Sequence, residues 1–211
     1  MAANTFTGLT SSAWGTASNW SLGTVPTATD THTTTFDALS PACTLGVNRV
    51  CWNLNMSAYT NTLTMSTFSL SAYGNTITLG AAMTLSGTGA LQSYANGITV
   101  TITSNGCYVP YLLLSGINTH TITLADDWSC GVFQSFLSTN VVLTVNGNKI
   151  FVYDDWNLST GNRQMAGTTT IEFTGALDCL WGGTANTGSI KNPIIINKSG
   201  GTLTLRAYIN L

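Results

Sequence analysis

Seven four-residue units in this chain alternate threonine with an apolar residue with little variation, and they recur along most of its length. They are TLTM from Thr62, TITL from Thr76, TVTI from Thr99, TITL from Thr121, VLTV from Val142, TIEF from Thr170 and TLTL from Thr202. Successive side chains of an extended strand point to opposite faces, so each unit sends its apolar residues to a core and its hydroxyls to water or a partner. Threonine suits the outer side, because its β-branch favours extended backbone while its oxygen stays solvated. The first residues of the units lie 14, 23, 22, 21, 28 and 32 positions apart. A strand that returns at a period of roughly 20–30 residues marks a stacked architecture in which each repeat buries its apolar face on its neighbours.

Second apolar segments lie between the units, among them MTL at Met83, YLLL at Tyr111, IFVY at Ile150 and IIIN at Ile194, and they supply the other walls of each coil. Glycine and asparagine write the turns, as in YGN at Tyr73, ANG at Ala95, SNG at Ser104, NGN at Asn146 and SGG at Ser199. The fold expected is all-β, a single-stranded parallel β-helix (β-solenoid) with roughly 20–30 residues per coil. Residues 1–40 form an entry and capping segment and residues 41–211 one continuous solenoid. Coils of about 22 residues stacked about 4.8 Å apart give about nine coils and a rod of about 45 Å, the longer gaps of 28 and 32 holding loops. Two facing antiparallel sheets joined by hairpins, a β-sandwich, are the alternative. One segment competes with the strand reading: ADDWSCGVFQSFLST from Ala125 has an aspartate placed to cap a short helix, with Trp128, Val132, Phe133 and Phe136 on one side.

Charge is scarce. Charged residues make up 7% of the chain, against roughly 25% in an average soluble domain, and between Met1 and Ala125 only Asp30, Asp37 and Arg49 occur. The apolar runs are far shorter than the roughly 20 residues of a spanning helix, which argues against membrane insertion. Six scattered basic residues and a net charge of −2 provide no patch for phosphates, so nucleic acid is not an expected partner. The start MAANTFTGLT has neither a basic region nor an apolar core and does not read as a secretory signal. The odd set of cysteines, Cys43, Cys51, Cys107, Cys130 and Cys179, lacks metal-type pairing and reads as buried free thiols, with a Cys43–Cys51 bridge or a zinc site as alternatives.

Clustered carboxylates occur twice, at Asp126/Asp127 and Asp154/Asp155, each pair followed by tryptophan, Trp128 and Trp156. If the separation of the two pairs equals one coil, four carboxylates stack and repel unless a cation such as Ca²⁺ or backbone amides offset them. Hydrogen bonds from turn amides are the plainer explanation, and a glycosidase pair is a third. His32 and His120 stand near no recognisable nucleophile, and His120 is expected at the exposed end of a strand. Trp52, Trp181, Tyr94, Tyr108 and Tyr208 offer flat faces for sugars or for packing. Trp14 and Trp20 are expected to cap the exposed apolar end of the first coil. No catalytic or cofactor-binding residue emerges.

The segment SSAWGTASNWSLGTVPTATDT, with Trp14, Asn19, Trp20, Gly23, Pro26 and Asp30, resembles the opening motif of β-solenoid proteins of phage particles and bacterial surface adhesins. VLTVNGNKIFVYDDWNLSTGNRQMAGTTTIEFTG and NPIIINKSGGTLTL resemble repeats of parallel β-helix proteins of tailed bacteriophages. The resemblance touches about half of the chain and carries no catalytic signature. It implies a non-enzymatic virion structural protein, a tail fibre or spike-like adhesin component or a head decoration protein, assembled in the host cytoplasm. Its partners would be other virion proteins, further copies of itself, trimers being the implied association, and a host-surface glycan. A bacterial adhesin fragment and a polysaccharide-degrading tail spike are the alternatives.

Overall fold

A computed structural model describes residues 2–116, 120–137, 141–144, 147–158, 163–166, 170–182 and 193–205. The chain winds as a parallel β-solenoid with three sheets running along its axis. One wall, here the threonine wall, stacks Ala3–Thr5, Thr33–Thr35, Asn53–Asn55, Thr76–Thr78, Val100–Thr103, His120–Leu124, Val141–Thr144 and Arg163–Ala166. The long wall stacks Arg49–Cys51, Leu70–Ala72, Leu91–Ala95, Tyr108–Gly116, Trp128–Leu137, Lys149–Val152, Thr170–Gly175 and Ile194–Lys198, with Trp156–Leu158, Cys179–Gly182 and Leu203–Leu205 alongside. A short wall stacks Cys43–Thr44, Thr62–Ser66 and Thr84–Gly87. Ala17–Asn19 is a single 3₁₀ turn, and no other helix occurs among the described residues.

Strand neighbours pair in parallel throughout, from Ala3–Thr5 on Thr33–Thr35 to Cys179–Gly182 on Leu203–Leu205. Hairpins would make neighbours antiparallel, so the sandwich alternative is excluded; among the described residues the one antiparallel contact is an isolated bridge between Phe6 and Trp20. A long entry step from Ala3 to Thr33 is followed by shorter and more even coils. Register partners then range from Thr33 on Asn53, among the shortest steps, to Trp156 on Trp181, among the longest. Eight described strands in the threonine wall span seven spacings, about 34 Å, and Ile194–Lys198, stacked on Thr170–Gly175, adds one further level on the long wall.

Side chains facing inward stack in columns. In the threonine wall Leu54, Ile77, Ile102 and Leu124 lie in register, all fully buried. In the long wall Leu70, Leu91, Leu112, Phe133, Trp156 and Trp181 do the same. Phe133 and Trp156 stack with centroids 4.1 Å apart and 10° between planes. That separation is close to the strand spacing, so the backbone ladder itself sets the ring geometry. The indole N–H groups of Trp128 and Trp156 find no acceptor among the described residues, a cost of about 1–3 kcal/mol each that the apolar column must offset.

One competing reading is excluded here, and one expectation is corrected. The segment after Ala125 is a strand, Trp128–Leu137, paired over eight positions with Tyr108–Gly116. Its buried side chains are Trp128, Cys130, Phe133 and Ser135, so the alternation slips by one at Gly131. Trp128 and Phe133 then share the inner side at a spacing that no flat strand gives, which is what imitated a helical face. Glycine is required at the slip, because a Cβ at Gly131 would lie 2.5 Å from the Pro110 carbonyl oxygen. The correction concerns the uneven gaps between the threonine units: those of 14 and 28 arise where the units change wall, and that of 32 runs from Thr170–Gly175 to Leu203–Leu205, which pairs with Cys179–Gly182 on the same wall. Thr62 lies in the short wall, the units from Thr76, Thr99, Thr121 and Val142 in the threonine wall, and those from Thr170 and Thr202 in the long wall.

Leu112→Ala leaves a hole in the middle of the inner column and is expected to cost about 2–5 kcal/mol, whereas Thr101→Ala on the outer side should stay within about 0.5 kcal/mol. Urea unfolding of both variants followed by circular dichroism checks the contrast; equal losses would place the threonine side in a core.

Candidate functional site

The two aspartate pairs do not share a site. Trp128 pairs with Ile150, so one coil at that point is shorter than the separation between the pairs, which would have set Trp128 on Trp156. Asp126 and Asp127 occupy the corner between His120–Leu124 and Trp128–Leu137; Asp154 and Asp155 occupy a bend between Lys149–Val152 and Trp156–Leu158. The four carboxylates therefore form no stack. Among the described residues no three His, Cys, Asp or Glu side chains gather as a metal-holding group.

Asp126, Asp127 and Asp155 have local work instead. Asp126 reaches back one coil, accepting from the Ser104 amide at 2.8 Å, the Ser104 hydroxyl at 3.1 Å and the Asn105 amide at 2.5 Å. Asp127 reaches forward, its Oδ1 accepting from the Lys149 amide at 2.7 Å. Asp155 Oδ1 accepts from the Leu180 amide at 2.7 Å, and Asp178 Oδ1 from the Thr202 amide at 2.8 Å and hydroxyl at 2.9 Å. Asparagines do the same, Asn48 for the Ser69 amide and Asn53 for those of Asn75 and Thr76. These are inter-coil staples: an acceptor at a corner takes the amide that the ladder leaves unpaired where the next strand begins. The two bonds from Thr202 hold the Asp178 carboxyl below the usual carboxylate range, while burial, then the neighbouring Asp155 charge, push that of Asp154 up against the opposing pull of Lys198.

At the entry, Trp14 and Trp20 are buried beside Phe6, Phe36 and Tyr59, with the Trp14 and Trp20 rings 4.9 Å apart and the Trp20 indole donating to the Trp14 carbonyl at 2.8 Å. The loop around them hangs on Asn19, which sequence reading placed only within a motif. Its Oδ1 accepts from the Thr10 amide and hydroxyl and the Ser11 amide, and its Nδ2 donates to the Ser11 hydroxyl and the Ala13 carbonyl. Asp30 of the same motif accepts from the Thr27 amide and hydroxyl, both at 2.7 Å.

The five cysteines are free and buried. Burial pushes the Cys51 and Cys130 thiols up to about 12 and the Cys107 thiol up to about 11. Such thiols are poor nucleophiles. His32 precedes Thr33–Thr35 and makes no side-chain hydrogen bond or ion pair among the described residues; the side chain of His120 lies outside the described set.

What remains as a surface is the outer face of the long wall. Val50, Ser71, Gln92, Leu113, Gln134 and Asn157 follow one another in register along the axis. Beside them runs an aromatic column: Trp52 and Tyr73 lie one residue beyond the Cys51–Ala72 pair, and the Tyr73 and Tyr94 rings are 4.7 Å apart. Ser71 Oγ donates to Gln92 Oε1 at 2.9 Å, and Tyr111 donates its hydroxyl proton to Gln134 Oε1, so hydrogen bonds between coils hold the amides in place. Neither column contains a charge. Of the aromatic residues singled out in the sequence, Trp52 and Tyr94 lie on this face, Trp181 is in the core, Tyr108 lies half-exposed against Tyr153, and Tyr208 lies outside the described residues.

No family model, curated protein or solved structure matches the chain.

At pH 8 a thiol reagent is expected to react very slowly with the native protein and to titrate five thiols after unfolding in guanidinium; fast reaction of one native thiol would identify a cysteine that the fold does not bury. For Asp178 the folded pKa is depressed below the unfolded value of about 3.9, so its stabilisation is present above about pH 4 and disappears as pH falls through the folded value. Melting curves of the wild type and Asp178→Asn should therefore differ above about pH 4 and converge in stronger acid.

Proposed function

We propose that this chain is a non-enzymatic structural and adhesive module of a virion, of the tail fibre, spike or head decoration kind, acting through assembly and surface contact. The observation that carries the reading is the outer face of the long wall, where the aromatic column Trp52, Tyr73 and Tyr94 runs beside the amide column Gln92, Gln134 and Asn157 without a charge. Flat rings take the apolar face of a sugar, and fixed amides donate to and accept from its hydroxyls, so a neutral host-surface glycan is the partner this chemistry fits. Recognition of that kind works through shape and neutral hydrogen bonding rather than long-range steering. The repeats that resemble those of tailed-phage solenoids support the particle setting, and association into trimers is part of the same proposal. A passive role is supported by Asp126, Asp127, Asp155 and Asp178, each of which is engaged with backbone amides.

Mass spectrometry of purified particles should find the polypeptide, in a few copies for a tail part or in hundreds for a decoration protein; its absence from particles overturns the virion role in favour of a cellular adhesin. On arrays of neutral glycans, the double variant Tyr73→Ala/Tyr94→Ala should bind about tenfold more weakly than the wild type, the loss of about 1.4 kcal/mol of ring contact. Shortening of the glycan during incubation would replace this reading with that of a depolymerase.

A further inference from the structure

The threonine wall has a regularity that the fold does not require. Any polar residue can face water opposite a buried isoleucine, and surfaces of soluble proteins commonly use lysine and glutamate there. Here Thr76, Thr101, Thr123 and Thr144 stand in register on four successive coils. A second rank runs Thr5, Thr35, Asn55, Thr78 and Thr103, with asparagine as its single departure. Both ranks are present on Thr76–Thr78 and Val100–Thr103, where they lie two residues apart, about 6.6 Å, and the steps along each rank are about 4.8 Å. No register shift interrupts these pairings, so hydroxyls and methyls form a two-by-two patch on Thr76, Thr78, Thr101 and Thr103, from which the first rank continues to Thr144 and the second back to Thr5.

Apart from Thr35, which donates to the Thr33 carbonyl at 3.3 Å, those hydroxyls are also unspent. Thr76, Thr78, Thr101, Thr103, Thr123 and Thr144 make no side-chain hydrogen bond among the described residues, in contrast to the long wall, where Ser71 bonds to Gln92 and Tyr111 to Gln134 between coils. All six have access to solvent, and Thr76 and Thr101 are exposed. From Ala3–Thr5 to Val141–Thr144 the strands of the wall contain no aspartate, glutamate, lysine or arginine. A partner matched to it is uncharged, repeats in two directions at these intervals, and both accepts and donates hydrogen bonds at each point. A single glycan strand repeats in one direction only.

We infer that the threonine wall binds the surface of an ice crystal. The net spacings lie near the repeats of oxygen positions on a prism face of hexagonal ice. Threonine is suited to that surface: its methyl group sits in the hollows between water molecules while its hydroxyl takes a lattice position. Its β-branch restricts χ1, so little rotamer freedom is lost on contact. The solenoid backbone holds the net rigid before the ligand arrives, which removes the ordering cost that would otherwise oppose adsorption. This site is separate from the long wall, and either can fail without the other.

The test is the gap between melting and freezing points of a single ice crystal in a solution of the full chain, together with inhibition of ice recrystallisation. The wild type is expected to open a measurable gap and facet the crystal. Thr101→Lys/Thr123→Lys should reduce the gap to that of buffer with an unchanged melting curve, whereas Tyr73→Ala on the long wall should leave it intact. If the lysine pair fails to fold, Thr101→Ser/Thr123→Ser, which removes only the methyl groups, should reduce the gap severalfold. A folded wild type that neither facets ice nor slows recrystallisation overturns the inference, as does a gap that survives the threonine substitutions or is lost with Tyr73.

Discussion

The hydrogen-bond ladder between successive coils is the constraint on which everything else in this molecule depends. An inner strand of a parallel solenoid is paired on both sides by segments a full coil away in sequence, so a coil has no stable existence without its neighbours. The ladder also sets the distance at which equivalent positions repeat. Leu91 stands on Leu70, Trp156 on Phe133 and Thr123 on Thr101 because their backbones are one strand spacing apart. A residue type that stacks well on itself is therefore favoured at every turn, whether aliphatic inside, aromatic in the core or hydroxyl-bearing outside.

Keeping this step constant is the work of the corners. Where a strand ends, its ladder leaves amides unpaired, and buried or half-buried amides without partners cost more than most single contacts contribute. Asp126, Asp127, Asp155, Asp178, Asn48 and Asn53 each accept such an amide from an adjacent coil. A chain so poor in charge thus places a large share of its carboxylates where they serve the backbone. The consequence for function is that its walls are left largely neutral, and they differ from each other in chemistry: rings and amides on one, free hydroxyls and methyls on another.

How much of this could be read from sequence varied with the range of the information involved. The alternation in TITL or TVTI is local, and it identified strands and their inner sides correctly. The helical alternative at Ala125 failed because the slip of alternation at Gly131 is caused by the close approach of Pro110, which lies a coil away. The conditional stack of Asp126/Asp127 on Asp154/Asp155 does not form for a related reason: it required a coil as long as the separation of the pairs, whereas coil length is set by backbone register. Amide bonds of the kind expected as the plainer explanation engage Asp126, Asp127 and Asp155. Asn19 was visible only as a member of a motif, since nothing in its neighbours announces that one side chain will satisfy five partners.

By itself the sequence determined that strands would recur at coil-like intervals, that their aliphatic side chains would line a common interior and that little charge was available for the surface, because periodicity and composition act through near neighbours along the chain. That neighbouring strands run parallel was decided by the tertiary pairing. Tertiary structure alone decided which wall each unit joined, which residues came into register, and so which side chains share a face. Those outcomes depend on the length of each intervening corner and on contacts between residues a full coil apart, and one residue more or less in a corner turns a strand's inner side outward.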